Sequence, residues 1–213
     1  MAPAYIAVAA SLIPNRSLPI FAVDKIRLND LTEDLLELFL ALADNSYVGF
    51  AFTLRGNRLS SLVFATPTNV LCVTDVNRMQ REKLRLLQTY LLLSECKLFG
   101  AHMDIAAYGF YADLELSLSN GIDAQSLFTI SSGARDETDS YITIIGNTPQ
   151  PNRDKVRDIF CAASIGDVDL KAIIRSHEFA VAARRPEVYT RLQAARVVST
   201  HERNPEASSN TRE

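Results

Sequence analysis

The chain has 213 residues, 47% of them hydrophobic and 22% charged, which supplies one sizeable core but not two full domains. A formal net charge of −3 argues against a strongly basic nucleic-acid-binding module. Three widely spaced cysteines, Cys72, Cys96 and Cys161, exclude a disulfide framework or zinc cluster and read as reduced thiols.

The N-terminal stretch MAPAYIAVAASLIPNRS lacks a basic segment, and Pro3 and Pro14 break its apolar run, so it does not read as a secretory signal. No stretch reaches the ~18 apolar residues that span a bilayer. The expected compartment is intracellular, cytoplasm or nucleus. Residues 1–20 read as an extension carrying one short strand at 5–11, and residues 21–23 suggest another. Asp30-Leu31-Thr32-Glu33 has the form of a capping box, and Leu31, Leu35, Leu38, Phe39 and Leu42 follow at helical spacing. A helix is predicted over residues 31–44, with an acidic outer face. Residues 24–44 hold six acids and two bases, a local charge of −4.

Residues 47–54, Tyr-Val-Gly-Phe-Ala-Phe-Thr-Leu, are the strand around which the chain is organised. A period of two puts Val48, Phe50, Phe52 and Leu54 on one apolar face. Tyr47, Gly49, Ala51 and Thr53 occupy the other, as small or weakly polar groups lining a cleft would. Arg55-Gly56-Asn57 and Pro67-Thr68-Asn69 are turn signals separating strands at 58–66 and 70–75, which makes an antiparallel meander. A helix at 81–95, a buried strand at 97–101 and a helix at 105–119 ending at Asn120-Gly121 come next. Residues 131–139 and 148–153 read as loops, 141–145 as a strand, and 154–163, 169–181 and 186–198 as helices, with Pro186 at a helix start. The polar, aperiodic residues 201–213 read as a disordered tail. The domain itself therefore spans 21–200.

No glycine-rich phosphate loop, H-E-x-x-H, C-x-x-C or G-x-S-x-G pattern occurs. His102, His177 and His201 stand alone at metal-ligand spacing. Residues 170–203 hold seven bases and three acids, a local charge of +4. Arg175, Arg184, Arg185 and Arg191 are the candidates there for contact with nucleic-acid phosphates. A solvated helix face pairing with acidic neighbours accounts for the same charges.

The order meander, helix, strand, helix, and the wording of several segments, resembles the 3′–5′ exonuclease domain of the RNase D and Werner exonuclease families. The resemblance runs from about residue 21 to 128. Val48-Gly49-Phe50-Ala51-Phe52-Thr53 matches their V-G-F-D-x-E strand, Lys97-Leu98-Phe99-Gly100 their K-x-x-H/G strand, and Gly121-Ile122-Asp123-Ala124-Gln125 their G-I…D-T-Q region. It implies an α/β fold of the RNase H-like kind: a mixed sheet, antiparallel over its first three strands and then parallel, flanked by helices.

The family chemistry needs four carboxylates around two divalent ions. At the first two positions this chain has Ala51 and Thr53. The third position, eight or nine residues past Lys97, falls on Ile105 or Ala106, with Asp104 displaced. The fourth, on a late helix four residues after a tyrosine, falls on Gln193 after Tyr189, and no aspartate follows Asp169. The resemblance thus implies an exonuclease-like domain with no catalytic residue, metal or cofactor. It is expected to act as a protein-binding scaffold in an RNA-processing or RNA-silencing complex, with RNA binding and self-association open. The alternative is an active metal-dependent exonuclease using displaced ligands among Asp75, Asp104, Asp113 and Glu115, whose structural readings are a strand end, a helix N-cap and a solvated helix face.

Overall fold

Strand periodicity and the two short turns build a single mixed sheet in the computed structural model, which describes residues 4–7, 20–43, 47–78, 80–127, 137–146, 151–161 and 168–200. Its strands are β1 (Ala4–Ala7), β2 (Ile20–Arg27), β3 (Tyr47–Arg55), β4 (Arg58–Ala65), β5 (Asn69–Thr74), β6 (Lys97–Gly100) and β7 (Gly121–Asp123), in the order β1-β2-β5-β4-β3-β6-β7. β3, β4 and β5 form the expected antiparallel meander. β6 joins β3 in parallel, β7 joins β6 in parallel, and β2 flanks β5 in parallel. Gly56 and Asn57 both take positive φ (57° and 62°), the turn geometry whose twist matches that of the paired strands.

The helices are α1 (Glu33–Ala41), α2 (Arg81–Leu87), α3 (Met103–Leu114), α4 (Glu137–Ile145), α5 (Arg153–Val156), α6 (Val168–Ala182) and α7 (Pro186–Gln193). α2 and α5 each run on into a π-helical turn, to Leu92 and Cys161. Two cores follow from the alternation of β3. Val48 and Phe50 pack with Phe64, Leu71 and residues of α1, α2 and α3 such as Phe39, Leu87 and Phe110. Ala51, Val63, Cys72 and Phe99 pack on the other side with Tyr141, Phe160, Phe179 and Ala180. None of the three cysteines is in a disulfide, and burial pushes the Cys96 thiol up to about 11. Among the described residues no helix is long and apolar enough to cross a membrane.

Several element boundaries differ from the sequence expectation. Thr32, not Asp30, is the N-cap of α1: its hydroxyl accepts from Leu35 N at 3.3 Å, and residues 28–30 form a 3-10 turn ahead of it. The helix expected at 105–119 begins at Met103 and stops at Leu114, because Glu115 adopts a left-handed φ of 56°. Leu116 and Leu118 are then buried in non-helical chain. Asn120 does not follow a helix end as a stop. It is buried, and its amide donates to the Leu91 and Cys96 carbonyls.

Residues 141–145 are not a strand but the end of α4. The β-branched run obscured the i, i+3, i+4 spacing of Tyr141, Ile144 and Ile145, all buried. α7 ends at Gln193, and the chain continues to a bridge between Val198 and Gly121 and a bond from Leu118 N to Thr200 Oγ1 (2.9 Å). The sheet therefore includes a segment from within the expected N-terminal extension, since β1 pairs with β2. Residues 8–11, 131–136, 148–150, 162–163 and the tail from 201 on lie outside the described residues.

Candidate functional site

The face of β3 that carries Gly49, Ala51 and Thr53 is where the family pattern would put its first two carboxylates. It does not line an open cleft, as the sequence suggested. α6 lies directly on it. A Cβ on Gly49 would stand 2.6 Å from Ala180 N and 3.0 Å from Ser176 C, with the Ser176 carbonyl oxygen closer still. Ala51 and Thr53 retain only 4% and 5% of their exposure. The close approach is possible because α6 presents Ala172, Ser176 and Ala180, small side chains spaced by four and hence on one helix face. That stripe is visible in the sequence, but its partner strand is not.

The third and fourth positions are not assembled around this face either. Ala106 is buried in the core on the far side of the sheet, with Phe50 and Phe110, and Ile105 is 46% exposed on α3. Gln193 is exposed at the end of α7, while Tyr189 packs edge-on against Tyr47, ring centroids 5.7 Å apart. The helix laid over β3 is α6. An aromatic residue followed by another side chain four positions on occurs there as Phe179 and Ala183, both buried. This pair was missed in the sequence because it preserves neither the hydroxyl nor the acid of the family pattern.

Three of the four displaced-ligand candidates are paired elsewhere. Asp113 Oδ2 accepts from Leu59 N at 2.9 Å, Glu115 pairs with Arg81 (3.4 Å), and Asp75 with Arg78 (3.8 Å). Asp104 is exposed in the first turn of α3, and the N-cap position that it was expected to fill belongs to His102, at a left-handed φ of 55°. Asp123, matched in the sequence only as part of the G-I…D-T-Q region, clamps the α3 start: Oδ2 accepts from Met103 N and Oδ1 from Gln125 N, each at 2.8 Å. Among the described residues no group of three or more histidine, cysteine, aspartate or glutamate side chains is placed to hold a metal ion.

The four candidate arginines do not share one exposed surface. Arg185 donates to the Ile144 and Thr143 carbonyls (2.7 and 3.3 Å) and pairs with Glu187, which satisfies orphan carbonyls at the end of α4. Arg191 donates to Leu127 O at 2.9 Å. Arg175 points inward, its Nε is buried without a partner, and burial lowers its pKa. Arg184 is exposed. Three of the four thus serve the interior or the joints between elements.

His177 sits beside this helix–strand contact. It is fully buried, its Nε2–H donates to Pro67 O (3.1 Å), and its ring stacks on Phe21 at 3.9 Å. Burial, only partly opposed by the bond to Pro67, pushes its pKa down to about 4. The unfolded chain, near 6.5, therefore binds a proton that the folded chain refuses between those values. Stability from this group is fully present above about pH 6.5 and is lost as pH falls towards 4, by roughly 3 kcal/mol in all. Urea titrations from pH 7 to 4 are expected to show this slope in the wild type, and a His177→Phe variant to be flatter by about one proton. An equal slope in the variant would place the titrating group elsewhere.

No family model and no curated protein sequence matches the chain. Among solved structures, Trypanosoma brucei RNase D in complex with GMP matches with a TM-score of 0.52 and 10% identity, covering 85% of this chain and 68% of that one. The Aedes aegypti Nibbler EXO domain matches at 0.48 and 12%, covering 81% and 87%. An EXD2 exonuclease domain soaked in Mn and GMP matches at 0.42 and 16%, covering 81% and 93%. With the strand order described above, the likeness to RNase D shows the fold: the chain has an RNase H-like mixed α/β sheet flanked by helices, similar to that structure.

Proposed function

We propose that this domain is an exonuclease fold without nuclease chemistry, used as a protein-binding scaffold in an RNA-processing or RNA-silencing assembly. One observation carries the reading: Ala51 and Thr53 stand where the family pattern calls for metal-binding carboxylates, and the strand face they occupy is sealed under α6. Two-metal hydrolysis needs several converging carboxylates and an entry for water and the phosphodiester. A sealed face offers neither. The RNA context is supported by the likeness to an RNase D crystallised with GMP. A protein ligand is favoured over RNA because the net charge is −3 and three of the four candidate arginines are held in internal contacts or burial.

The test is digestion of a labelled single-stranded RNA in Mg²⁺ and in Mn²⁺ against an EDTA control, with thermal melting under the same conditions. The expected result is no cleavage above the control and a melting temperature indifferent to either metal. A folded-state ligand at 100 times its dissociation constant would add about 2.7 kcal/mol, so binding would be seen. Divalent-dependent cleavage, abolished by Asp104→Asn or Asp75→Asn, would establish the displaced-ligand enzyme instead. A melting shift with RNA alone would make the domain a non-cleaving RNA binder.

A further inference from the structure

α3 turns apolar side chains to solvent as well as to the core. Ile105, Tyr108 and Tyr111 follow at three-residue spacing on its outer side, at 46%, 72% and 64% exposure. The β3–β4 turn stands beside the helix. Asp113 Oδ2 holds Leu59 N at 2.9 Å, and a Cβ on Gly109 would stand 2.8 Å from Leu59 Cγ. Leu54 is paired across the strands with Leu59, hence on the same face of the sheet, and adds a fourth apolar side chain at 45% exposure.

The two ends of this patch carry opposite charge. Arg55 and Arg58 are exposed and directly opposite each other across the turn, where like charges repel. Asp104 is exposed at the other end, in the first turn of α3. None of these three has an ion-pair partner among the described residues. The charges around them are matched already: Asp113 to Leu59 N, Asp75 to Arg78, and Glu115 to Arg81, with Arg85 alongside. A surface cationic at one end, anionic at the other and apolar between fits a copy of itself. A two-fold axis near Tyr108, lying across the line from Asp104 to the turn, sets each carboxylate against the other copy's arginines. The two tyrosines alone offer roughly 270 Å², a third of the ~800 Å² that each partner of a stable complex buries. Single-stranded RNA fits less well, since Asp104 would repel its phosphates and Leu54 and Ile105 offer no ring to stack on.

We propose that the outer side of α3 and the β3–β4 turn form the interface of a symmetric homodimer. Tyr108 lies at its centre, and Asp104 of each copy faces Arg55 and Arg58 of the other. The inference goes beyond the function proposed above and depends neither on the missing nuclease chemistry nor on a further partner.

The test is analytical ultracentrifugation of the full chain from about 1 to about 100 μM, a range that brackets a dissociation constant near 10 μM. A concentration-dependent dimer is expected, weakened about tenfold or more by Tyr108→Ser and unchanged by Leu38→Ser on α1. Charge reversal supplies the decisive arm. Arg55→Asp with Arg58→Asp in one variant, and Asp104→Arg in another, each place like charges at both ends of the dimer. Each variant alone should dimerise about tenfold or more weakly than the wild type. Mixed one to one, they restore opposite charges at both ends and should associate within about threefold of the wild type. A wild type monomeric throughout, a dimer indifferent to Tyr108→Ser, or a mixture no more associated than its components would overturn the proposal. So would association seen only on adding single-stranded RNA, which would make the tyrosines a stacking surface. Thermal melts of the variants verify folding.

Discussion

Gly49→Ala is expected to destabilise the domain by about 3 kcal/mol or more, a loss of roughly 6–12 °C in melting temperature for a chain of this size. The added methyl has no flexible neighbour to displace. Its contacts would be Ser176 O, Ala180 N at 2.6 Å and Ser176 C at 3.0 Å, all backbone atoms of a helix packed on both sides. Relief would require α6 to lift from β3, opening the core that holds Phe99, Phe179 and Tyr141. Gly109→Ala is the control. There the nearest atoms to the methyl would be side-chain atoms of Leu59, Cγ at 2.8 Å, Cδ1 at 2.9 Å and Cδ2 at 3.3 Å, rather than backbone, and alanine gains about 1 kcal/mol of helix propensity over glycine. Urea denaturation of the two variants should separate them clearly. Similar midpoints for both would mean that α6 does not sit on Gly49.

Restoring the first two family acids, with Ala51→Asp and Thr53→Glu together, is expected to cost at least about 3 kcal/mol and to produce no nuclease. Both side chains would enter sites now only 4% and 5% exposed, so each carboxyl would lose water. Its pKa would rise in consequence. Nor would the pair find company, because Ile105, Ala106, Phe179 and Ala183 supply no third or fourth ligand. Melting in the presence of Mn²⁺ and digestion of labelled RNA read out both halves of the prediction. Wild-type stability in the double variant would show the face to be open. Robust metal-dependent cleavage would show that other acids of this chain do reach it.

How much was legible differs between elements for identifiable reasons. The β3–β4 hairpin was readable because alternation and a Gly-Asn turn are local signals, and both φ values are positive as the turn requires. α4 was misread because β-branched residues at its end favour a strand locally, while burial of Tyr141, Ile144 and Ile145 on one helical face decided otherwise. β7 is three residues long, too short for any periodicity, and exists because β6 offers it a parallel edge. The arginines were counted correctly as charge, but a count cannot tell a phosphate ligand from a side chain that donates to Ile144 O or Leu127 O.

The amino-acid sequence by itself determined the strand-rich first half, the family resemblance and the absence of acids at Ala51 and Thr53, since each depends on residue identity at short spacing. Only the tertiary structure decided that the face they share is closed. It also laid α6, with Phe179 on it and Ala183 just past its end, over that face rather than α7 with Gln193. Those facts depend on which helix crosses which strand, a contact between residues about 130 apart in the chain. Small side chains at Gly49, Ser176 and Ala180 permit that contact without announcing it.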